Sequence, residues 1–144
     1  MDTYDAGTRS RTMRAVRSTD TTPELAVRRA LHAAGYRYRV HVKDLPGKPD
    51  IVFTRRRKVV FIHGCFWHQH PGCPAAYRPS SSTDYWNAKL DRNMVRDERS
   101  LTSLTYGGWS VHVVWECELK NIAEATQRLF AFLGPPRCEP RSRR

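Results

Sequence analysis

Two thiols and two imidazoles fall within nine residues of this chain, in the string Cys65-Phe66-Trp67-His68-Gln69-His70-Pro71-Gly72-Cys73. A loop of that composition is too polar to hold its own shape, and Cys/His donors at this spacing suit a tetrahedral zinc ion. Cys117 can supply a third thiolate from a distance. Cys65, His70, Cys73 and Cys117 then form one candidate structural zinc set and leave His68 free for chemistry. The spacing also admits a set with His68 in place of His70, and reduced, unliganded cysteines are the plain alternative. A disulfide framework has no secretion signal to support it. Cys138 reads as a bystander.

The second group is built on a carboxylate. Pro49-Asp50 opens the apolar run Ile51-Val52-Phe53, and His63 closes the run Val59-Val60-Phe61-Ile62, with the basic segment Thr54-Arg55-Arg56-Arg57-Lys58 between them. In a hairpin with its turn centred between Arg56 and Arg57, Asp50 lies opposite His63, and such neighbours approach within about 5 Å at Cβ. A carboxylate is a hard ligand suited to Mg²⁺, which takes one or two protein oxygens and keeps several waters. That ion can activate water and neutralise charge on a phosphate under attack. Taken singly, Asp50 is also a turn residue after proline and His63 a core histidine. Together, on a basic chain, they make the stronger case. Glu24 is accounted for by helix capping, yet it shares a face with Val27 and Leu31 and so can point at the sheet. Asn93 and Asp97 occupy similar inward slots on a later helix.

These groups need a scaffold. Thr21-Thr22-Pro23-Glu24 opens a helix with capping-box spacing, Val27, Ala30, Leu31 and Ala34 form its stripe, and Gly35 stops it. Tyr36, Tyr38, Val40 and Val42 alternate with polar residues, which predicts a strand ahead of the hairpin. Residues 64–82 form a long irregular segment, of the kind that is usually functional or metal-stapled. A helix follows over 83–106 with Trp86, Leu90, Leu101 and Leu104 inward, then a strand through Trp109, Val111, Val113 and Trp115. The intervening helix predicts that this strand runs parallel to its partner. A last helix carries Ile122, Ala125, Leu129 and Phe132. The order α-β-β-β-α-β-α predicts an α/β fold, a mixed sheet flanked by helices. Residues 1–20 read as an arm, 21–134 as the main domain and 135–144 as a basic tail.

The 144 residues carry 25 Lys+Arg against 14 Asp+Glu, a net charge of +11, and residues 37–58 hold eight of the cations against two acids. Charge of this sign concentrates polyanions, nucleic acid above all. Phe66, Trp67 and Trp86 lie in or beside polar segments, where aromatic rings can stack on bases or wedge into a base step. For Trp86 a core role fits the pattern equally. No apolar run is long enough to span a bilayer, and Met1-Asp2-Thr3-Tyr4-Asp5 lacks the charged and apolar regions of a secretory signal. A cytoplasmic protein is expected.

Several of these strings, taken together, resemble the very short patch repair (Vsr) DNA mismatch endonucleases. They are Thr8-Arg9-Ser10-Arg11-Thr12-Met13-Arg14, Leu45-Pro46-Gly47-Lys48-Pro49-Asp50, Phe61-Ile62-His63-Gly64-Cys65-Phe66-Trp67-His68, Asn93 with Arg96-Asp97, and Gly108-Trp109 with Val114-Trp115-Glu116-Cys117. The resemblance runs from about residue 8 to about residue 133. It implies a restriction-endonuclease-like fold with one structural zinc, and Mg²⁺-dependent nicking of one DNA strand 5′ to the thymine of a T·G mismatch left by deamination of 5-methylcytosine. Carried over by position, Asp50 and the Ile62 carbonyl correspond to Mg²⁺ ligands. His68 corresponds to the residue that activates water, with His63 and Glu24 in support. Cys65, His70, Cys73 and Cys117 correspond to the zinc ligands, and Phe66, Trp67 and Trp86 to intercalating aromatics. The N-terminal arm, with Arg9, Arg11 and Arg14, corresponds to a segment that embraces the duplex. The implied partner is mismatched double-stranded DNA, with mismatch-repair factors further along the same process, and a monomer is expected. The loop departs from the family pattern at Gln69, at Pro71-Gly72 and over 74–83.

Overall fold

The computed structural model describes residues 20–136; Arg9, Arg11, Arg14, Cys138 and nearly all of the expected arm and tail lie outside them. Thr21 starts helix α1 (Thr22–Ala33) by accepting the Glu24 N–H at 3.3 Å. The reciprocal half of the expected capping box is not made, because the Glu24 carboxylate accepts the Asp20 N–H and the Arg28 guanidinium instead, each at 3.0 Å. Val27 and Leu31 are fully buried beneath it.

The strand expected over 36–43 is absent. Tyr36, Tyr38, Val40 and Val42 do turn inward between exposed neighbours. Only Arg39 pairs, however, exchanging two hydrogen bonds of 2.9 Å with Val52. At His41 the backbone enters the left-handed region, φ +58°, which ends any ladder. Alternation fixed which side chains face in, but alternation does not supply a continuous edge to pair with.

Three strands make the sheet: β1 (Ile51–Phe53), β2 (Lys58–His63) and β3 (Ser110–Trp115), in the order β1-β2-β3. β1 and β2 form the expected hairpin, with Ile51 facing Val60 and Phe53 facing Lys58. Arg57 closes the turn onto the Thr54 carbonyl at 3.1 Å, so the turn sits one residue earlier than the sequence reading. Asp50 therefore lies beside Val60–Ile62 rather than opposite His63. A slide of two residues preserves the pleat, so both side chains stay on one face. β3 runs parallel to β2 as expected, from Lys58 against Ser110 to His63 against Trp115.

Helix α2 (Thr83–Tyr106) provides the crossover, and α3 (Ile122–Leu133) follows a 3₁₀ turn, Glu116–Asn121. One sheet face packs Ile51, Phe53, Val60 and Val114 with Val27, Leu31, Leu129 and Leu133 of α1 and α3. The other packs Val52, Val59 and Phe61 with Leu104 of α2. The inward line of α2 ends through Asp97, Ser100 and Leu104, at about 100° per residue, which leaves Leu101 at its edge and 46% exposed instead of buried. On α3 the buried face is Ala125, Thr126, Leu129 and Leu133, with Ile122 exposed.

The basic turn is tied into the fold. Arg56 donates to the Leu133 and Pro135 carbonyls at 2.8 and 3.0 Å, Lys58 to Phe132 at 2.6 Å, and Arg57 to Gly107 at 2.7 Å. These carbonyls end α3 and α2, where a positive charge also offsets the helix dipole. Three of the eight cations in 37–58 that the sequence offered as a nucleic-acid surface therefore hold helix ends.

Candidate active site and metal centre

The histidines of the site follow from where β2 stops. Its last residue, His63, is nearly buried, and the chain beyond it folds back over the sheet end, with His68 N–H on the Gly64 carbonyl at 3.1 Å and His70 N–H on Cys65 at 3.0 Å. The His63 and His68 rings stack in parallel, 3.8 Å apart with an interplanar angle of 4°. From α2, Asp97 Oδ2 meets His68 Nδ1 at 2.6 Å. A carboxylate at that distance fixes the Nδ1–H tautomer and leaves the Nε2 lone pair free to take a proton.

Asp50 approaches from the other strand. Its Oδ2 accepts the Ile62 N–H at 2.7 Å, which pins the carboxylate and leaves Oδ1 available. Burial pushes the Asp50 carboxyl from 3.8 up to about 6; the Ile62 N–H opposes this, the nearby charge of Glu24 adds to it, and His68 opposes it. Two carboxylates within electrostatic reach in a partly desolvated site are costly without a cation and suited to a hard divalent one. Glu24 is itself nearly buried and has both oxygens engaged, one by the Asp20 N–H and one by Arg28, which also holds Asp20 at 2.8 Å. Burial lowers the imidazole of His63 to about 4, with His68 adding to the effect and Asp97 opposing it. His63 is thus neutral at physiological pH.

The loop ahead of α2 gathers the second group. Ligand atoms of Cys65, His70, Cys73 and Cys117 lie within 4.8 Å of one another. Cys65 and Cys117 sulfurs stand 3.7 and 3.4 Å from His70 Nδ1, and the Cys117 N–H donates to Cys65 Sγ at 3.4 Å. Burial pushes the Cys65 thiol up to about 12, while the Ala75 N–H draws Cys73 below the usual thiol range. Three soft donors and one imidazole converging on a point fit a closed zinc site, in which the dication would favour the thiolates. The rival set with His68 loses its geometric basis, because His68 faces Asp97. His63, His68 and Asp97 also bring ligand atoms within 4.8 Å. There the stacked rings direct their in-plane lone pairs along parallel planes, which do not converge on one ion.

Phe66 and Trp67 project from the same loop onto Trp86 of α2, with ring centroids 5.4 and 5.9 Å from it. Tyr77 and Tyr85 flank them, and both are exposed. Trp86 is 5% exposed, with no hydrogen-bond partner for its Nε1 among the described residues, and it forms the floor beneath the half-buried Phe66 and Trp67. Sequence reasoning gave Arg78 no role, yet it straps the loop to α2. Its guanidinium reaches Gln69 at 3.1 Å, Asn87 at 3.1 Å and Asp91 at 2.9 Å. Asn93, in one of the expected inward slots, donates to the Trp67 carbonyl at 3.0 Å. The Arg28 clamp on Glu24 was also missed, although an Arg four residues after a capping-box Glu is a readable signal.

Residues 1–73 match the family model described as DNA mismatch endonuclease Vsr. The chain is similar to the type II nicking enzyme V.XorIIP of Xanthomonas oryzae pv. oryzae, 52% identical over 123 residues that cover 85% of this chain and 90% of the relative. It is similar to the type II nicking enzyme V.NmeAIP of Neisseria meningitidis, 45% identical over 89% of this chain and 91% of the relative. It is also 40% identical to the DNA mismatch endonuclease Vsr of Escherichia coli, over 87% of this chain and 80% of that protein.

Proposed function

The chain belongs to the Vsr family of DNA endonucleases, and from that premise we propose that it nicks one strand of duplex DNA 5′ to the thymine of a T·G mismatch, with Mg²⁺ as the catalytic ion. The observation that carries this reading is the His68–Asp97 contact of 2.6 Å beside a pinned carboxylate at Asp50. It supplies a base for water next to an oxygen donor for a metal.

In the proposed reaction His68 Nε2 takes the proton of the attacking water, while Asp97 holds the ring and stabilises the imidazolium that forms. Asp50, with the Ile62 carbonyl, would hold the Mg²⁺, which when bound would lower the pKa of water and offset charge on the phosphate under attack. His63, neutral and stacked on His68, keeps that ring in plane. Glu24, clamped by Arg28, adds the negative charge that draws the cation in. Cys65, His70, Cys73 and Cys117 would hold a structural zinc that shapes the loop. Phe66 and Trp67, on the floor of Trp86, wedge into the base step. Unstacking costs a few kcal/mol per step, and less where pairing is already weak. That difference supports selectivity for a mismatch.

The finer fold reading, a restriction-endonuclease-like core over 21–134, rests on the family. So do an arm with Arg9, Arg11 and Arg14 that embraces the duplex, and action as a monomer alongside mismatch-repair factors. Relatives named as nicking enzymes favour a second reading in which the nick is directed by sequence rather than by the mismatch. Strand-specific cleavage of labelled duplexes separates the two. A nick 5′ to thymine in a T·G duplex, dependent on Mg²⁺ and absent with Asp50→Ala and in matched DNA, is the expected result. Equal cutting of the matched duplex would replace the first reading with the second.

A further inference from the structure

His63 is a buried imidazole with no hydrogen bond to its side chain among the described residues; its Nδ1 is orphaned. A ring in that situation is oriented by what packs on it. Three rings do so: His68 in parallel at 3.8 Å, Phe61 tilted at 5.5 Å, and Trp115 edge-on at 5.2 Å and 71°. Trp115 also stacks on His70, at 4.2 Å and 7°. The parallel register of β2 and β3 sets His63 directly against Trp115, so this contact is built into the sheet. Asp97, His68, His63, Trp115 and His70 therefore form one continuous column from α2 to the Cys/His cluster.

We propose that Trp115 is a positioning residue, which transmits the geometry of the Cys65–His70–Cys73–Cys117 cluster through His63 to the ring of His68. The inference rests on the reading of His68 as the base. It gives the zinc loop a task beyond its own folding, since the plane of His70 sets the plane of Trp115, and the edge of Trp115 sets His63. A base displaced by about 1 Å loses on the order of 10²-fold in rate while substrate binding is untouched.

The test uses the full chain, purified with its zinc. Trp115→Leu removes the flat face, Trp115→Phe keeps a ring, and His70→Cys keeps four ligands but removes the imidazole on which Trp115 lies. For Trp115→Leu and His70→Cys the expected result is kcat for nicking lowered about 10²-fold, with KM for the duplex within about twofold. Zinc content should stay at the wild-type ratio, and the NMR signals of the His63 and His68 rings should move. Trp115→Phe should recover most of the rate. Wild-type kcat in Trp115→Leu with zinc retained would overturn the proposal. So would loss of zinc from that variant, or a loss of rate in Trp115→Phe as large as in Trp115→Leu. If the wild type cuts no T·G duplex, the functional reading fails by itself. The proposal then stands or falls on the ring signals of His63, which must shift in Trp115→Leu and in His70→Cys.

Discussion

Replacing Asp50 by Asn should abolish nicking and make the protein more stable. The folded state holds the Asp50 carboxyl near 6 against an ordinary value of 3.8. About two units at 1.36 kcal/mol each give a ceiling of about 3 kcal/mol of destabilisation from keeping this carboxylate charged. Asp50 is only half-buried, so water screens part of the penalty, and about 2 kcal/mol is expected. Since the folded pKa is raised, the folded state binds the proton more tightly than the unfolded chain. The penalty is absent below about pH 4, develops as pH rises through 4–6, and is constant above about 7. Asn keeps an oxygen for the Ile62 N–H and carries no charge, so it removes the penalty. Urea unfolding of both proteins from pH 4 to 8 reads this directly. The Asp50→Asn advantage should be under about 1 kcal/mol at pH 4 and plateau near 2 kcal/mol above pH 7. Mg²⁺ should narrow the gap by stabilising the wild type alone. A variant that is no more stable at pH 8, or an advantage that shrinks as pH rises, would refute the electrostatic account of this site.

Asp97→Asn should leave duplex affinity unchanged and lower kcat by about 10²–10⁴-fold, since it releases the tautomer that His68 needs; single-turnover nicking and filter binding measure the two separately. Cys117→Ser should lose the metal and soften the loop, seen as zinc released to a chromogenic chelator and protease cleavage within residues 64–82. Gly47 has φ +75°, and a Cβ there would sit 2.7 Å from Ser100 Cβ. Gly47→Ala should cost about 2–4 kcal/mol, from the left-handed backbone and overpacking together. Adding Ser100→Gly should return about half, as a double-mutant cycle in urea would show.

The candidate site is legible in the sequence because its residues are concentrated. Cys65, His68, His70 and Cys73 lie in one short string, and their spacing pointed to zinc before any fold was known. The hairpin, the parallel return of β3 and all three helices were readable for a similar reason, since periodicity reports which side of an element is buried. What was not readable depends on single backbone angles and on partners distant in sequence. Alternation over 36–43 looked like a strand, and one left-handed residue, His41, undid it. The hairpin register turned on whether four or more residues make the turn, which moved Asp50 from His63 to Ile62. Asp97 sat on an inward face with no sign that it would meet His68, 29 positions away. Charge counting pointed to nucleic acid, in keeping with the family, but carried no sign that Arg56, Arg57 and Lys58 would be engaged by helix ends.

The central strand β2 pairs on one side with a neighbour four residues away and on the other with β3, which the ribosome makes much later. Cys65 and Cys117 are separated by 52 positions. At about 5–20 residues per second, roughly 3–10 s pass between their synthesis. During that interval Asp50, His63 and His68 exist, but the strand that backs His63 and the sulfur that closes the Cys/His cluster do not. A chain that stops short of Cys117 therefore has the Asp50, His63 and His68 side chains but neither the strand partner of His63 nor the last donor of the Cys/His cluster.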